Sequence, residues 1–271
     1  MSLLEGKIAL ITGGARGIGR VASLVLAEEG AELAVVDILP EAERTAEEIN
    51  KTGRRACAAI FDIADPIQVE EGLAWIRRQL GDPEILVNNA GIVNNIASLT
   101  KMTHDAWQRE IAVNLSGAFN MIKATIGDMI QKKWGRIINI SSLGASGGLH
   151  KQAGYAASKA GLLGLTKTAT LEHARDNITC NAILPGLIET ELVQKMPEEI
   201  RRGTRAVIPG QRFGRMEEVA WLIAFLASDR AAYINGEEIH LDGGMQLNVS
   251  SLGSRREMGV RLGRLEGGAD D

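Results

Sequence analysis

Tyr155 and Lys159 are the pair in this chain best suited to chemistry. They stand four residues apart in Tyr-Ala-Ala-Ser-Lys, inside a stretch from Ala153 to Ala174 that reads as a helix. At that spacing both side chains lie on one face. Free tyrosine titrates near ~10, and a cation held close favours the phenolate and draws that value toward neutrality. A tyrosine tuned this way can give a proton to an alcohol oxygen or take one from it. The spacing alone is a weak signal, since any Tyr and Lys on a solvated helix can share it.

Ser142 lies 13 residues before Tyr155, where the apolar run Gly135 to Ser142 ends in hydroxyls. The carboxyl ends of parallel strands are where open α/β sheets bind ligands. Far upstream, Ile8 to Arg20 gives a strand, a glycine-rich turn and a helix start, a place to seat a pyrophosphate on free N–H groups and a helix dipole. The glycines are spaced Gly13-x-x-x-Gly17-x-Gly19. Together with Asn88-Asn89-Ala90-Gly91, Ser142, Tyr155 and Lys159 in this order, the chain resembles the short-chain dehydrogenase/reductase family over about residues 5–246.

Seven strand-like runs, near 7–12, 32–37, 56–61, 84–87, 135–141, 178–184 and 237–241, must position these residues. Helical periods fall between them, near 17–29, 41–52, 66–79, 104–131, 154–174 and 216–227. Such alternation predicts a single-domain α/β protein: a doubly wound Rossmann fold, its seven-stranded parallel sheet flanked by helices on both faces. The bulk properties fit. The chain has 271 residues, 45% hydrophobic and 24% charged, with a formal net charge of −4, so there is no electrostatic case for nucleic acid or a membrane. Two distant cysteines, Cys57 and Cys180, suit a reducing compartment. Four histidines form no ligand-spaced cluster, so no metal is expected. The first residues hold no apolar signal core, which makes a cytoplasmic location the default.

The cofactor expected is NAD. Gly13 suits the tight turn, Gly17 a close backbone approach, Gly19 helix–strand packing, and Ile18 the floor of the site. Asp37, 18 residues after Gly19, ends the second strand, where a carboxylate accepts hydrogen bonds from both adenosine ribose hydroxyls and repels a 2′-phosphate. Arg16 dissents, because the resemblance associates a basic residue there with NADP. Asp62 and Ile63 match the family's adenine-contacting pair, the carboxylate on the amino group and the Ile63 N–H on the ring. Asn89, Ala90 and Gly91 let cofactor and backbone approach, although their stretch could equally tie strands together. The resemblance makes Asn114, in Val-Asn-Leu-Ser-Gly, a fourth catalytic residue whose carbonyl holds a water beside Lys159. It also assigns Pro185, Gly186, Ile188 and Thr190 to the nicotinamide end.

These residues imply an NAD-dependent oxidoreductase acting on a secondary alcohol or ketone. Ser142 orients the oxygen, Tyr155 exchanges its proton, Lys159 lowers the Tyr155 pKa and bonds the nicotinamide ribose, and the cofactor carries the hydride. The alternative is a 3-oxoacyl thioester reductase or 3-hydroxyacyl-CoA dehydrogenase. Gln152 and the stretch Arg212-Phe-Gly-Arg-Met-Glu-Glu-Val-Ala resemble that branch. A non-catalytic dinucleotide-binding relative is the rival from a different class. The small-molecule pocket is expected among Ile92, Val93, Asn94, Asn95, Ala145, Leu149, His150, Gln152, Leu187, Leu192 and Met196.

Residues 190–212 form a polar insertion of the sort that serves as a lid. Within it Arg201, Arg202 and Arg205 follow Glu198 and Glu199. They read either as a solvated helix with Arg202 paired to both acids, or as cations for the phosphates of a thioester handle. A homo-oligomer, dimer or tetramer, is expected from the small residues Ala156, Ala157, Ala160, Gly161 and Gly164, and from the resemblance, whose members pair this helix and the one before it across a dyad. The stripe Trp107, Ile111, Leu115, Phe119 and Ile122 is expected to be mostly core. Residues 247–271 read as a flexible C-terminal extension.

Overall fold

The structure is a computed structural model that describes residues 2–93 and 95–247. The expected pocket residue Asn94 and nearly all of the C-terminal extension thus lie outside the described residues. Seven parallel strands form one sheet in the order β3-β2-β1-β4-β5-β6-β7. They are β1 Ile8–Thr12, β2 Glu32–Asp37, β3 Ala56–Ile60, β4 Ile85–Asn88, β5 Gly135–Ile140, β6 Ile178–Pro185 and β7 Glu238–Leu241. The order grows outward from β1 in one direction and from β4 in the other. A crevice therefore opens at the carboxyl ends of β1 and β4.

Helices cover both faces: α1 Gly17–Glu28, α2 Ala42–Lys51, α3 Pro66–Gln79, α4 His104–Ile111, α5 Gly117–Lys132, α6 Gly144–Gly147, α7 Ala153–His173, α8 Glu191–Gln194, α9 Glu198–Val207 and α10 Met216–Leu226. Alternate strand residues feed two separate cores, because successive side chains leave a strand on opposite sides. Ile11, Val35, Ile85 and Val87 pack with Leu26, Ile49 and Ile223 of α1, α2 and α10. Leu10, Val36, Leu86 and Ile137 pack with Leu73, Met121 and Ala169 of α3, α5 and α7. Strands buried on both faces read as the continuous apolar runs seen in the sequence.

The long helix expected over 104–131 is interrupted. Between α4 and α5 the chain makes a π-helical turn at Ala112–Ser116, the one-residue excess that such turns often carry at functional sites. The apolar stripe on this helix is less buried than expected. Ile122 is in the core, but Trp107, Ile111 and Leu115 are only partly covered and Phe119 is exposed. Among the described residues no helix is long and apolar enough to cross a membrane.

Candidate active site

The glycine turn between β1 and α1 is shaped by contact with β4. Gly13 takes a left-handed φ of 70°, and a side chain there would come 2.9 Å from the Cα of Ala90. A methyl at Gly19 would lie 2.1 Å from the Gly13 carbonyl oxygen. Only glycine allows both approaches. Asn89 locks the arrangement, its Nδ2 donating to the carbonyls of Thr12 (2.9 Å) and Gly13 (3.2 Å). The Thr12 hydroxyl, which sequence reasoning missed, accepts from the N–H groups of Asn89 and Ala90, each at 3.1 Å. Asn88 turns inward and donates to Asn139 Oδ1 at 2.9 Å. Both asparagines of the motif therefore tie strands together.

The resulting cleft of about 320 Å³ is lined by Gly13, Arg16, Ile18, Asp37, Asp62, Ile63, Asn89, Ala90, Gly91 and Thr190, all expected from the sequence. Asp37 is pinned by two N–H groups, Ala15 to Oδ2 at 3.0 Å and Leu39 to Oδ1 at 3.1 Å. Arg16 is exposed on the same rim. Asp62 accepts from the Ala64 N–H at 2.9 Å and pairs with Arg109 at 3.1 Å. Arg109, on α4, lines the cleft without having been anticipated, since nothing local distinguishes it from a surface cation. Pro185, Gly186 and Ile188 do not line the cleft. Pro185 ends β6, Gly186 packs against Asp242, and the Ile188 side chain is buried in the core behind Thr190.

At Gly91 the cleft meets the second cluster. A side chain there would come 3.1 Å from Lys159 Nζ and 3.4 Å from Asn114 Oδ1. Asn114, buried in the π-helical turn, accepts from the Ile92 N–H at 2.8 Å, donates to the Ile92 carbonyl at 2.9 Å, and donates to Ser158 Oγ at 3.1 Å. Ser158 in turn donates to the Tyr155 carbonyl at 2.7 Å. The π turn thus aims Asn114 at both the loop after β4 and the helix that carries Tyr155 and Lys159. Lys159 is almost fully buried and donates to the Ile140 carbonyl at 2.8 Å, and Ser141 Oγ donates to the Lys159 carbonyl at 2.8 Å. Ser142 Oγ accepts from the Gly144 N–H at 3.1 Å and lies close enough to the Tyr155 hydroxyl to lower its pKa.

The electrostatics correct one expectation. Burial pulls the Lys159 ammonium down to about 8. Burial pushes the Tyr155 phenol above its ordinary value, the Ser142 hydrogen bond pulls it back, and the negative charge of Glu110 pushes it up again. Lys159 Nζ stands 5.8 Å from the centre of the Tyr155 ring and bonds to Ile140, so desolvation outweighs the expected drop toward neutrality.

The substrate side is looser. Leu149, His150 and Leu192 are exposed and Gln152 is half-buried at the start of α7. Leu187 packs into a small lid core with Val193, Met196, Ile208 and Phe213. On the lid helix α9, Arg201 pairs with Glu198 at 3.2 Å and with Glu189 at 3.1 Å. Arg205 pairs with Glu198 and lies 5.7 Å from the Phe213 ring. The expected pairing of Arg202 with Glu198 and Glu199 does not form. Among the described residues Arg202 has no ion pair and stands exposed.

A glycine-turn cleft that runs into a Ser, Tyr, Lys and Asn cluster is matched by comparison with known proteins. Residues 13–246 match a family profile described as enoyl-(acyl carrier protein) reductase. The chain belongs to the short-chain dehydrogenase/reductase family. It is an NAD(P)-dependent oxidoreductase acting on CH–OH groups. The chain is 41% identical to the 3-oxoacyl-[acyl-carrier-protein] reductase of Thermotoga maritima, over 89% of this chain and 98% of that one. It is 41% identical to the enzyme of the same name from Escherichia coli, over 90% and 98%. Among solved structures it is similar to a putative gluconate dehydrogenase from Agrobacterium tumefaciens, with TM-score 0.86, 33% identity, and 90% of this chain and 97% of that one covered. It is also similar to levodione reductase, with TM-score 0.86, 31% identity and 90% and 98% covered.

Proposed function

We propose that this protein reduces 3-oxoacyl thioesters, carried on acyl carrier protein or coenzyme A, with NADH as the preferred reductant. The observation that carries the substrate class is the 41% identity to 3-oxoacyl-[acyl-carrier-protein] reductases over nearly their whole length. The cofactor preference rests on Asp37, whose carboxylate is held on the rim where the adenosine ribose of the family's cofactor would lie. A 2′-phosphate there would meet a like charge at close range. Arg16 on the same rim is exposed and acts in the opposite sense.

The residues present fit a nicotinamide dinucleotide. The turn from Gly13 to Gly19 would receive the pyrophosphate and Asp37 the ribose. Asp62 and Ile63 would take the adenine, Asn89 to Gly91 the middle of the molecule, and Lys159 with Thr190 the nicotinamide end. The bound cofactor supplies the hydride. Ser142 donates a hydrogen bond that orients the substrate carbonyl oxygen. Tyr155 gives that oxygen its phenol proton. A phenol held above its ordinary pKa stays protonated at neutral pH and so stands ready as the donor. Lys159 and Asn114 extend the route by which Tyr155 regains a proton.

A second reading, oxidation or reduction of a small secondary alcohol or ketone with NAD(H), is favoured by the likeness to the gluconate dehydrogenase and levodione reductase folds. The internal pairing of Arg201 and Arg205 also favours it, because among the three arginines of α9 it leaves only Arg202 without an ion pair to offer a phosphate handle. We further propose a homo-oligomer. Phe119 and Leu171 are exposed on α5 and α7, and Gly164 has open space around it. By contrast Gly161, expected on that face, packs against Leu115 of its own chain.

Turnover of acetoacetyl-CoA and of small cyclic ketones, each with NADH and NADPH, tests this reading. Faster thioester reduction with NADH is expected. Turnover of free ketones alone would replace it with the second reading, and a preference for NADPH would show that Arg16 outweighs Asp37.

A further inference from the structure

Glu110 is the only fully buried acid among the described residues, and it stands beside the catalytic cluster without belonging to it. It sits at the end of α4, one turn before Asn114. Its Oε1 accepts from the Asn95 N–H at 3.3 Å, in the loop that follows β4 and is expected to form the pocket wall. Its Oε2 lies against Gly154, where a methyl group would come within 2.4 Å. Gly154 is in the first turn of α7 and directly precedes Tyr155. The capping residue of α7, Gln152, gives that turn no side-chain hydrogen bond, and a carboxylate is favoured at the positive end of a helix. The same loop is also tied to the turn just before α7, by the Ala97 N–H donating to the Lys151 carbonyl at 2.9 Å. A buried carboxylate is costly unless its surroundings hold it, so its place at the junction of wall and catalytic helix calls for a function.

We propose that Glu110 is a positioning residue for Tyr155: its buried carboxylate fastens the first turn of α7 to the pocket wall at Asn95 and sets the negative field in which the phenol works. This rests on the reading of Tyr155 as the proton donor. The groups around Tyr155 are few. Lys159 follows one turn along α7, Glu110 faces it from α4, and Ser142 approaches from the end of β5. His150 and Lys151 are exposed on the turn before α7, and Lys123 of α5 is exposed. Arg109 of α4 is engaged with Asp62. Cys180 of β6 is buried and neutral, its thiol pushed up to about 12 by burial. Of these, Glu110 is the group whose negative charge opposes a phenolate, and it adds to the larger effect of burial in holding Tyr155 in the proton-donating form.

The chain has two tyrosines, and Tyr233 is fully exposed. In a Tyr233→Phe background the ultraviolet absorbance of phenolate therefore reports Tyr155 alone. Glu110→Gln keeps the shape and one acceptor and removes the charge. Its Tyr155 is expected to ionise about half a pH unit or more lower, the scale of one like charge nearby in a partly screened site. The alkaline limb of the reduction rate should move the same way with KM little changed. Glu110→Met, near-isosteric and uncharged, is the second variant should Gln fail to fold. Coincident titrations, or no Tyr155 titration in either protein over the range where both keep their circular dichroism, would overturn the proposal, as would a lower Tm with the titration unmoved. Tyr155→Phe separates the two readings. If it keeps more than about a hundredth of the turnover, the proton-donor role fails. If it loses turnover while the Glu110→Gln titration stays put, Glu110 alone fails.

Discussion

On the cofactor side of the cleft the contacts are buried and largely made by main chain, whereas on the substrate side they are side chains on short helices that stand half in solvent. Gly13, Gly19 and Ala90 touch backbone to backbone, Asn89 and Thr12 stitch β1 to β4, and Asp37 is held by two N–H groups. By contrast the expected substrate residues Leu149, His150 and Leu192, with Ile200 and Val207 of α9, are exposed, and the lid has a core of a few residues around Val193, Ile208 and Phe213. The physical lesson is one of coupling. The cofactor half shares its hydrogen bonds with the sheet and cannot change without disturbing the core. The lid can be rebuilt at little cost to the rest, which is where a family varies its substrates.

That contrast can be broken most severely at Gly19. Gly19→Ala places a methyl 2.1 Å from the Gly13 carbonyl oxygen, and relief requires backbone movement. A loss of about 3 kcal/mol or more in unfolding free energy is expected, with cofactor binding lost alongside it. Denaturant melts and cofactor fluorescence check both, and a near-neutral result would mean that the turn is not rigid.

Asp37→Ala should weaken NAD binding by about 1.5–3 kcal/mol, the range for a hydrogen bond to a charged group. It should also shrink the preference for NAD over NADP, as read by comparing kcat/KM for the two cofactors. Unchanged NAD affinity would remove Asp37 from the ribose site.

Lys159→Met should abolish turnover, yet raise the Tm of the protein without added cofactor at pH 7. The Lys159 pKa is lowered on folding to about 8, so the folded state resists protonation. Wild type is therefore relatively most stable above the ordinary lysine value and loses that advantage as the pH falls through about 8. The gain in the variant, about 1 kcal/mol after the loss of the bond to Ile140, should be largest below pH ~8 and fade by pH ~10.5. A variant less stable at pH 7 than at pH 10, relative to wild type, would reverse the sign.

The smallest effect belongs to the lid. Gly203, inside α9, has nothing within 4 Å of an added methyl. Gly203→Ala should be neutral or stabilise by up to about 1 kcal/mol, the helix preference for Ala over Gly, with kcat for a small ketone unchanged. Destabilisation as large as that of Gly19→Ala would erase the distinction between the two halves.

Much of this was legible in the residues. The apolar runs of β1, β2, β5 and β6 announce strands buried on both faces, and the glycine turn announces an anion site because its spacing leaves backbone N–H groups free. Asp37, Ser142, Tyr155 and Lys159 were found from local motifs, Asp62 and Asn114 from the resemblance to the family, and all of them border the cleft or the cluster at its end. The misses share a cause. Arg109 and Glu110 look like ordinary charges on an amphipathic helix, and only the placement of α4 beside the loop after β3 and against α7 turns one toward Asp62 and buries the other. The lid acids were matched to the wrong base, since helical spacing permits several pairs and the neighbouring Glu189 decides among them for Arg201.

The sequence by itself determined the order of strands and helices, the glycines that close backbone approach demands, and the identity of the groups able to exchange a proton. These are set by steric and chemical rules that act within a few residues. Tertiary structure decided the π turn that aims Asn114, the burial that lowers Lys159 and raises Tyr155, and the contact of Glu110 with the helix that bears the phenol. Each depends on which surfaces lose water together, and desolvation is a property of the packed molecule that no local spacing encodes.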